Sequence, residues 1–167
     1  MIIISDYRVY HKAETIYIRS TGPLYCPYEQ EQVELFPRGT CFRYAIRHFE
    51  KKRYNLSVLE CPSCHRTHRV LPDYMIPYRQ YCVEDVCTMQ EEPMDHLCTE
   101  PSTVYRIRKW LALFFLFVRD MRAFLEMPAA RELSGYPLAE QLREAVLFTV
   151  RNAHWKDIQH YFAADTG

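Results

Sequence analysis

The sequence predicts an α+β protein with a β-rich first half and an all-helical second half, on three observations. Short runs of β-branched and aromatic residues fill the stretch before residue 60. Two Cys-Pro-x-x tetrads, Cys26-Pro27-Tyr28-Glu29 and Cys61-Pro62-Ser63-Cys64, flank those runs as the two knuckles of a zinc ribbon do. Beyond residue 78 the apolar residues recur at helical spacing. The expected domains are residues 1–72, a zinc-ribbon-like unit, and 73–167, a helical unit with a helix-turn-helix at about 78–117.

Ile2–Tyr10 and Thr15–Arg19 read as strands leading into the first knuckle, and Val33–Phe36, Cys41–Phe49 and Tyr54–Leu59 continue the pattern. Pro37-Arg38-Gly39 and Lys51-Lys52-Arg53 are the turns expected between them. Leu71 to Tyr78 holds two prolines and reads as an extended connector, because the residue before a proline avoids the α region. A helix is expected from Tyr78 to about Gln90, a short one over Met94–Cys98, and a long one from Thr103 to Glu126, capped by Thr99 or Ser102 and stopped at Met127-Pro128. A last helix starts near Pro137 and runs through Leu142, Val146 and Val150, with Asn152–Phe162 as its continuation or a separate piece.

Composition bounds the function. The chain has 167 residues, 49% of them apolar and 14% aromatic, which is ample for a buried core. Its 21 basic and 21 acidic residues cancel, but they fall in blocks. Nine Lys/Arg stand against three Asp/Glu over 38–80, residues 81–101 hold six acids and no base, and 102–123 hold five bases and one acid. A neutral total therefore leaves room for a positive face. Met1-Ile2-Ile3-Ile4 gives way at once to Ser5 and Asp6 and reads as a strand rather than a secretory segment. Seven cysteines then belong to a reducing, cytoplasmic setting. Trp110–Val118 is apolar throughout but far short of the roughly 20 residues of a membrane span, so it is expected as a helix buried on all sides.

The metal chemistry rests on Cys26, Cys61 and Cys64. Thiolates at C-x-x-C spacing give zinc two ligands from one turn, and the first knuckle offers a third. The fourth position is open between Glu29, Cys41, His65 and His68. A carboxylate is a poorer partner for this ion than a thiolate, so a site completed by Glu29 is expected to be weaker.

Along the long helix Val104, Ile107, Leu111, Phe115 and Val118 share one face, and Ser102, Arg106 and Lys109 lie opposite with Thr103 at the border. In a helix-turn-helix the opening turns of the second helix enter the major groove, so these four residues are the expected contacts to double-stranded DNA. Arg66 and Arg69, beside the second knuckle, are expected to add phosphate contacts. Arg43, Arg47, Lys51, Lys52 and Arg53 are a further basic run. Catalysis has no local signature: no Gly-rich phosphate loop is present, and Asp73, Asp85, Asp120 and Asp157 lack a strand-end setting. The protein is read as a binder and not an enzyme.

Three stretches also carry a family resemblance: Arg38-Gly39-Thr40-Cys41-Phe42-Arg43, the run from Leu59 to Tyr81, and Ser102-Thr103-Val104-Tyr105-Arg106 on to Trp110. With Val150–Trp155 they resemble a family of short bacterial proteins linked to mobile elements, themselves similar to the N-terminal zinc-ribbon and helix-turn-helix part of insertion-sequence transposases. The resemblance implies a DNA-binding accessory or regulator with Cys26, Cys61 and Cys64 as metal positions, and Glu29 departs from it at the fourth. The alternative is a module that docks on a transposase or another protein without touching nucleic acid. Binding of RNA or a polymerase through the ribbon is a third reading of the same basic residues.

Overall fold

The computed structural model describes residues 1–29, 31–125 and 135–152. Among the described residues the protein is α+β, with a curled mixed sheet in its first half and three α-helices in its second. By internal packing it forms two compact units, Met1–Cys82 and Val83–Gly167.

The sheet of the first unit has six strands: β1 (Ile2–Ile4), β2 (Tyr7–Lys12), β3 (Thr15–Ser20), β4 (Phe36–Arg47), β5 (Glu50–Glu60) and β6 (Thr67–Pro72). β5 organises it. One edge of β5 pairs antiparallel with β4 along its whole length, while the other pairs first with β3, in parallel, and then with β6, antiparallel. β2 closes one end as a hairpin with β3, and β1 lies parallel to β6 at the other. Tyr54 and Leu56 of β5 are fully buried at the centre, with Ile18, Val70 and Leu71 around them.

Four local expectations are corrected. Ile2–Tyr10 is two strands, broken at Ser5 and Asp6, whose polar side chains are exposed. Pro37-Arg38-Gly39 is not a turn: it lies inside β4, where the register shifts between Pro37 and Gly39 as a bulge that absorbs the proline. Lys51-Lys52-Arg53 is strand, and the hairpin turns instead at His48 and Phe49, both in the left-handed region (φ 56° and 58°). A turn made of residues that rarely adopt that conformation carries no sequence signal. β6 was not anticipated, because a buried His68 sits where its inward alternation should read apolar.

The two-proline stretch begins inside β6, which ends with Leu71 and Pro72, and the rest of it belongs to the first unit with Tyr74, Met75 and Ile76 buried. Backbone pairing explains why the next helix starts later than expected. The N–H of Ile46 donates to the Gln80 carbonyl (2.7 Å), and the Cys82 N–H donates to that of Ile46 (2.9 Å), so the segment up to Cys82 is tied to β4.

The second unit holds α1 (Val83–Glu91), a short 3-10 turn at Met94–His96, α2 (Pro101–Phe124) and α3 (Leu138–Asn152). α2 opens two residues earlier than expected, with Pro101 in the first turn, where its fixed φ suits a helix start and no N–H is missed. Glu100 stands at the N-cap, so neither Thr99 nor Ser102 does. The stops expected at Met127-Pro128 and the stretch 153–162 lie outside the described residues. Val104, Ile107, Trp110, Leu111, Phe114, Phe117 and Val118 are buried, and Trp110 stacks on Phe114 with ring centroids 5.2 Å apart. Leu142, Ala145 and Val146 of α3 and Val83, Val86 and Met89 of α1 complete this core. Trp110–Val118 is not enclosed on all sides, because α1 and α3 cover only one sector of α2: Ala112 is exposed and Leu116 is 39% exposed. No described helix is long and apolar enough to cross a membrane.

Candidate metal centre

The two knuckles converge within the first unit. In the first, Cys26 donates its N–H to the Val33 carbonyl (2.9 Å) and Leu35 donates to that of Leu24 (2.8 Å), which ties Leu24–Cys26 to Val33–Leu35 with Cys26 buried. The second sits between β5 and β6. Cys61 donates its N–H to Arg66, His65 donates to Cys61 (both 3.0 Å), and His65 takes φ 56° to close the turn. The Cys64 N–H points at the Cys61 sulfur (3.5 Å).

The Sγ atoms of Cys26, Cys61 and Cys64 and a carboxylate oxygen of Glu29 all lie within 4.8 Å of one another, so these four residues could hold a metal ion. Cys26 Sγ and Cys64 Sγ are 3.7 Å apart, close to the edge of roughly 3.8 Å that a tetrahedron with metal–sulfur bonds of about 2.3 Å requires. Cys26 and Cys61 are buried among Leu24, Val33, Leu35 and Leu59. Such a shell excludes water and strengthens the hold of thiolates on a cation.

The same crowding sets the proton affinities of the thiols. Burial raises that of Cys61, but the N–H groups of Cys64 and Ser63 and the thiols of Cys64 and Cys26 outweigh it and bring the pKa below its usual value. At Cys64 the Arg66 N–H lowers the pKa. Burial, the other two thiols and Glu29 then carry it up to about 11. Four acidic groups this close cannot all be anionic alone, and a divalent cation removes that conflict.

Of the other candidates for the fourth ligand, Cys41 lies on β4 outside the cluster and His65 is exposed. His68 is the neighbour that matters. It is 1% exposed, its Nε2 is 3.7 Å from Cys26 Sγ, and its Nδ1 is buried with no hydrogen-bond partner among the described residues. Burial above all, then the positive charges of the N-terminal ammonium and Arg66, lowers its pKa and favours the neutral ring. Tyr28 stacks on it at 5.8 Å, and the Arg66 guanidinium sits 4.6 Å from the Tyr28 ring centre. This Arg66–Tyr28–His68 pile lies beside the cluster, and no motif announces it beyond the three residues' closeness to the knuckles.

The remaining predicted residues are found as follows. Ser102, Arg106 and Lys109 are exposed on the opening turns of α2, and Thr103, half-buried, accepts a hydrogen bond from Arg106 (3.2 Å). Arg69 is exposed on β6. Arg43, Arg47 and Arg53 do not form one continuous basic run, since each is engaged differently. Arg43 donates to the Ile76 and Arg79 carbonyls, while Arg47 and Arg53 each lie 3.9 Å over a ring, those of Tyr74 and Phe42. The α1–α2 connection, residues 92–100, is longer than the three or four residues usual in a helix-turn-helix. Arg108 spans it, donating to the Met89 (2.7 Å) and Glu92 (2.6 Å) carbonyls at the end of α1.

Residues 26–107 match the model of a family described as a domain of unknown function, DUF6431. The match takes in both knuckles, the whole of α1 and the first two turns of α2. Neither the curated proteins nor the solved structures compared with the chain give a match.

Proposed function

We propose that the protein is a non-catalytic binder of double-stranded DNA, with a zinc ion held by Cys26, Glu29, Cys61 and Cys64 bracing its first unit. One observation carries the DNA reading. The opening of α2 buries Val104, Ile107, Trp110 and Leu111 and turns Ser102, Tyr105, Arg106 and Lys109 to solvent, with no acidic residue between Pro101 and Arg119. Arg106 has the donor fork that pairs with a guanine edge, and Ser102 and Lys109 suit phosphates. Arg108, turned to the end of α1, holds the two helices together and is excluded from that role.

The zinc assignment is supported by the three-sulfur cluster, whose Cys26–Cys64 separation of 3.7 Å suits one edge of a tetrahedron. Zinc rather than magnesium or calcium suits sulfur donors. The resemblance to mobile-element proteins suggests an accessory or regulatory role at such an element.

Selection from a randomised duplex pool, followed by titration of the selected and a scrambled duplex at two salt concentrations, tests the reading. Arg106→Ala is expected to cost about 1–3 kcal/mol on the selected duplex and much less on the scrambled one. Equal losses would reduce Arg106 to a phosphate contact, and no duplex binding at low salt would overturn the proposal. A second reading, docking on a transposase or other protein, is favoured by Tyr105 (65% exposed) and Leu116, which leave an apolar strip on α2.

A further inference from the structure

A cavity of about 750 Å³ opens on the first unit; none of the four candidate metal ligands lines it, and none of its described lining residues is Asp or Glu. Arg43 of β4, Arg69 of β6 and Arg79 of the segment after β6 line it. A fourth arginine at its edge, Arg38, is engaged by Glu60. Of its aromatic lining residues, Tyr78 is 67% exposed, whereas Phe42 and Tyr44 alternate with Arg43 along β4 and turn their rings to the strand's other face, beside Arg53 and Lys51. Cavities of this size suit ligands of nucleotide dimensions.

The cationic groups are built in. Arg43 is half-buried and anchored through one terminal nitrogen to the Ile76 and Arg79 carbonyls, which leaves its other N–H groups for a ligand. Burial, and then the like charge of Arg69, lowers the Arg43 pKa, and burial lowers that of Arg79 as well. Arg43, partly desolvated and beside the like charge of Arg69, carries a standing cost that a bound anion relieves. Tyr78 adds a second sign. It takes φ 58°, a left-handed conformation unfavourable for a bulky residue, and backbone strain of this kind clusters at ligand clamps.

We propose that this cavity binds a phosphorylated aromatic ligand, either a free nucleotide or the unpaired end of a nucleic-acid strand, with its phosphate on Arg43 and Arg69 and its base against Tyr78. Guanidinium groups fix the phosphate by paired hydrogen bonds, and stacking on an aromatic ring accepts any base. The site is independent of α2, so it stands or falls apart from the duplex-binding proposal.

Calorimetric titration of the full chain with ADP, with 5′-phosphorylated decathymidylate and with inorganic phosphate tests it. ADP or the decamer should bind, and inorganic phosphate at least about tenfold more weakly, since it lacks a base to stack. ADP binding identifies the free nucleotide as the source, and decamer binding alone identifies the strand end. Arg69→Glu should weaken binding at least about tenfold, and Arg69→Gln less. Lys12→Glu, on exposed β2 outside the cavity lining, should leave it unchanged. The proposal is overturned if neither ADP nor the decamer binds, if inorganic phosphate binds as well as they do, or if folded Arg69→Glu binds like the wild type.

Discussion

Replacing Glu29 separates a metal ligand from a nearby surface acid. Cys26-x-x-Glu29 has the spacing of Cys61-x-x-Cys64, so a cysteine at position 29 should reach the cluster as Cys64 does. Removing a group that merely supports a ligand costs about 10–100-fold in metal affinity, and losing a ligand should cost at least that. Each tenfold is about 1.4 kcal/mol when free zinc exceeds Kd, so Glu29→Ala should lose roughly 1.4–2.8 kcal/mol of zinc-linked stability. For a unit the size of Met1–Cys82, 1 kcal/mol moves the melting temperature by about 4–8 °C. The expected drop is therefore roughly 6–22 °C in buffered zinc and close to nothing in excess chelator. Glu29→Cys should shift the melt upward, because a soft thiolate replaces a hard carboxylate. Circular-dichroism melts at fixed free zinc, with competition against a chromophoric chelator, read both quantities. If Glu29→Ala melts and binds zinc as the wild type does, Glu29 is no ligand and His68 becomes the fourth group to test.

Other perturbations reach other links of the account. Phe114→Ala removes a fully buried ring stacked on Trp110 and should destabilise the helical unit by about 3–5 kcal/mol in urea titration; a loss below 1 kcal/mol would mean that its packing is misjudged. Asn55→Ala should cost about 1–3 kcal/mol, since buried Asn55 accepts from Arg19 (2.5 Å) and donates to Thr40 (3.2 Å). Burial foremost, with Glu91 and Glu84, pushes the Cys87 thiol up to about 12, so iodoacetamide at pH 8.5 should label exposed Cys98 while Cys87 stays protected. The sign for stability follows from the same shift. The unfolded thiol ionises first, near its ordinary 9.0, so Cys87 favours unfolding progressively as pH rises from about 9 to 12. Zinc should protect Cys26, Cys61 and Cys64 from the same reagent, and chelation should expose them.

The two knuckles were legible because their chemistry is local: a Cys-Pro-x-x tetrad is read from four adjacent residues, and both were brought together. The split into strands and then helices was legible for the same reason, through periods of two and of 3.6 residues. What escaped was set by tertiary context. The β4–β5 turn fell at His48 and Phe49 rather than at the lysines, because the pairing Arg47↔Glu50 fixes it and no glycine announces it. The cavity was out of reach, since Arg43, Arg69 and Arg79 are brought together by strand pairing and by the backbone tie between Ile46 and Cys82. His68 is one of four candidates for the fourth ligand in the sequence, and only its place on β6 shows it turned inward beside Cys26.

The central claim is that this cluster holds one zinc ion as part of the fold. Metal analysis by inductively coupled plasma mass spectrometry, on protein purified without chelator and again after zinc-supplemented refolding, tests it most directly. The account predicts one zinc per chain in both samples, falling below half in Cys61→Ser. A ratio near zero in both, from protein that is folded, would contradict it.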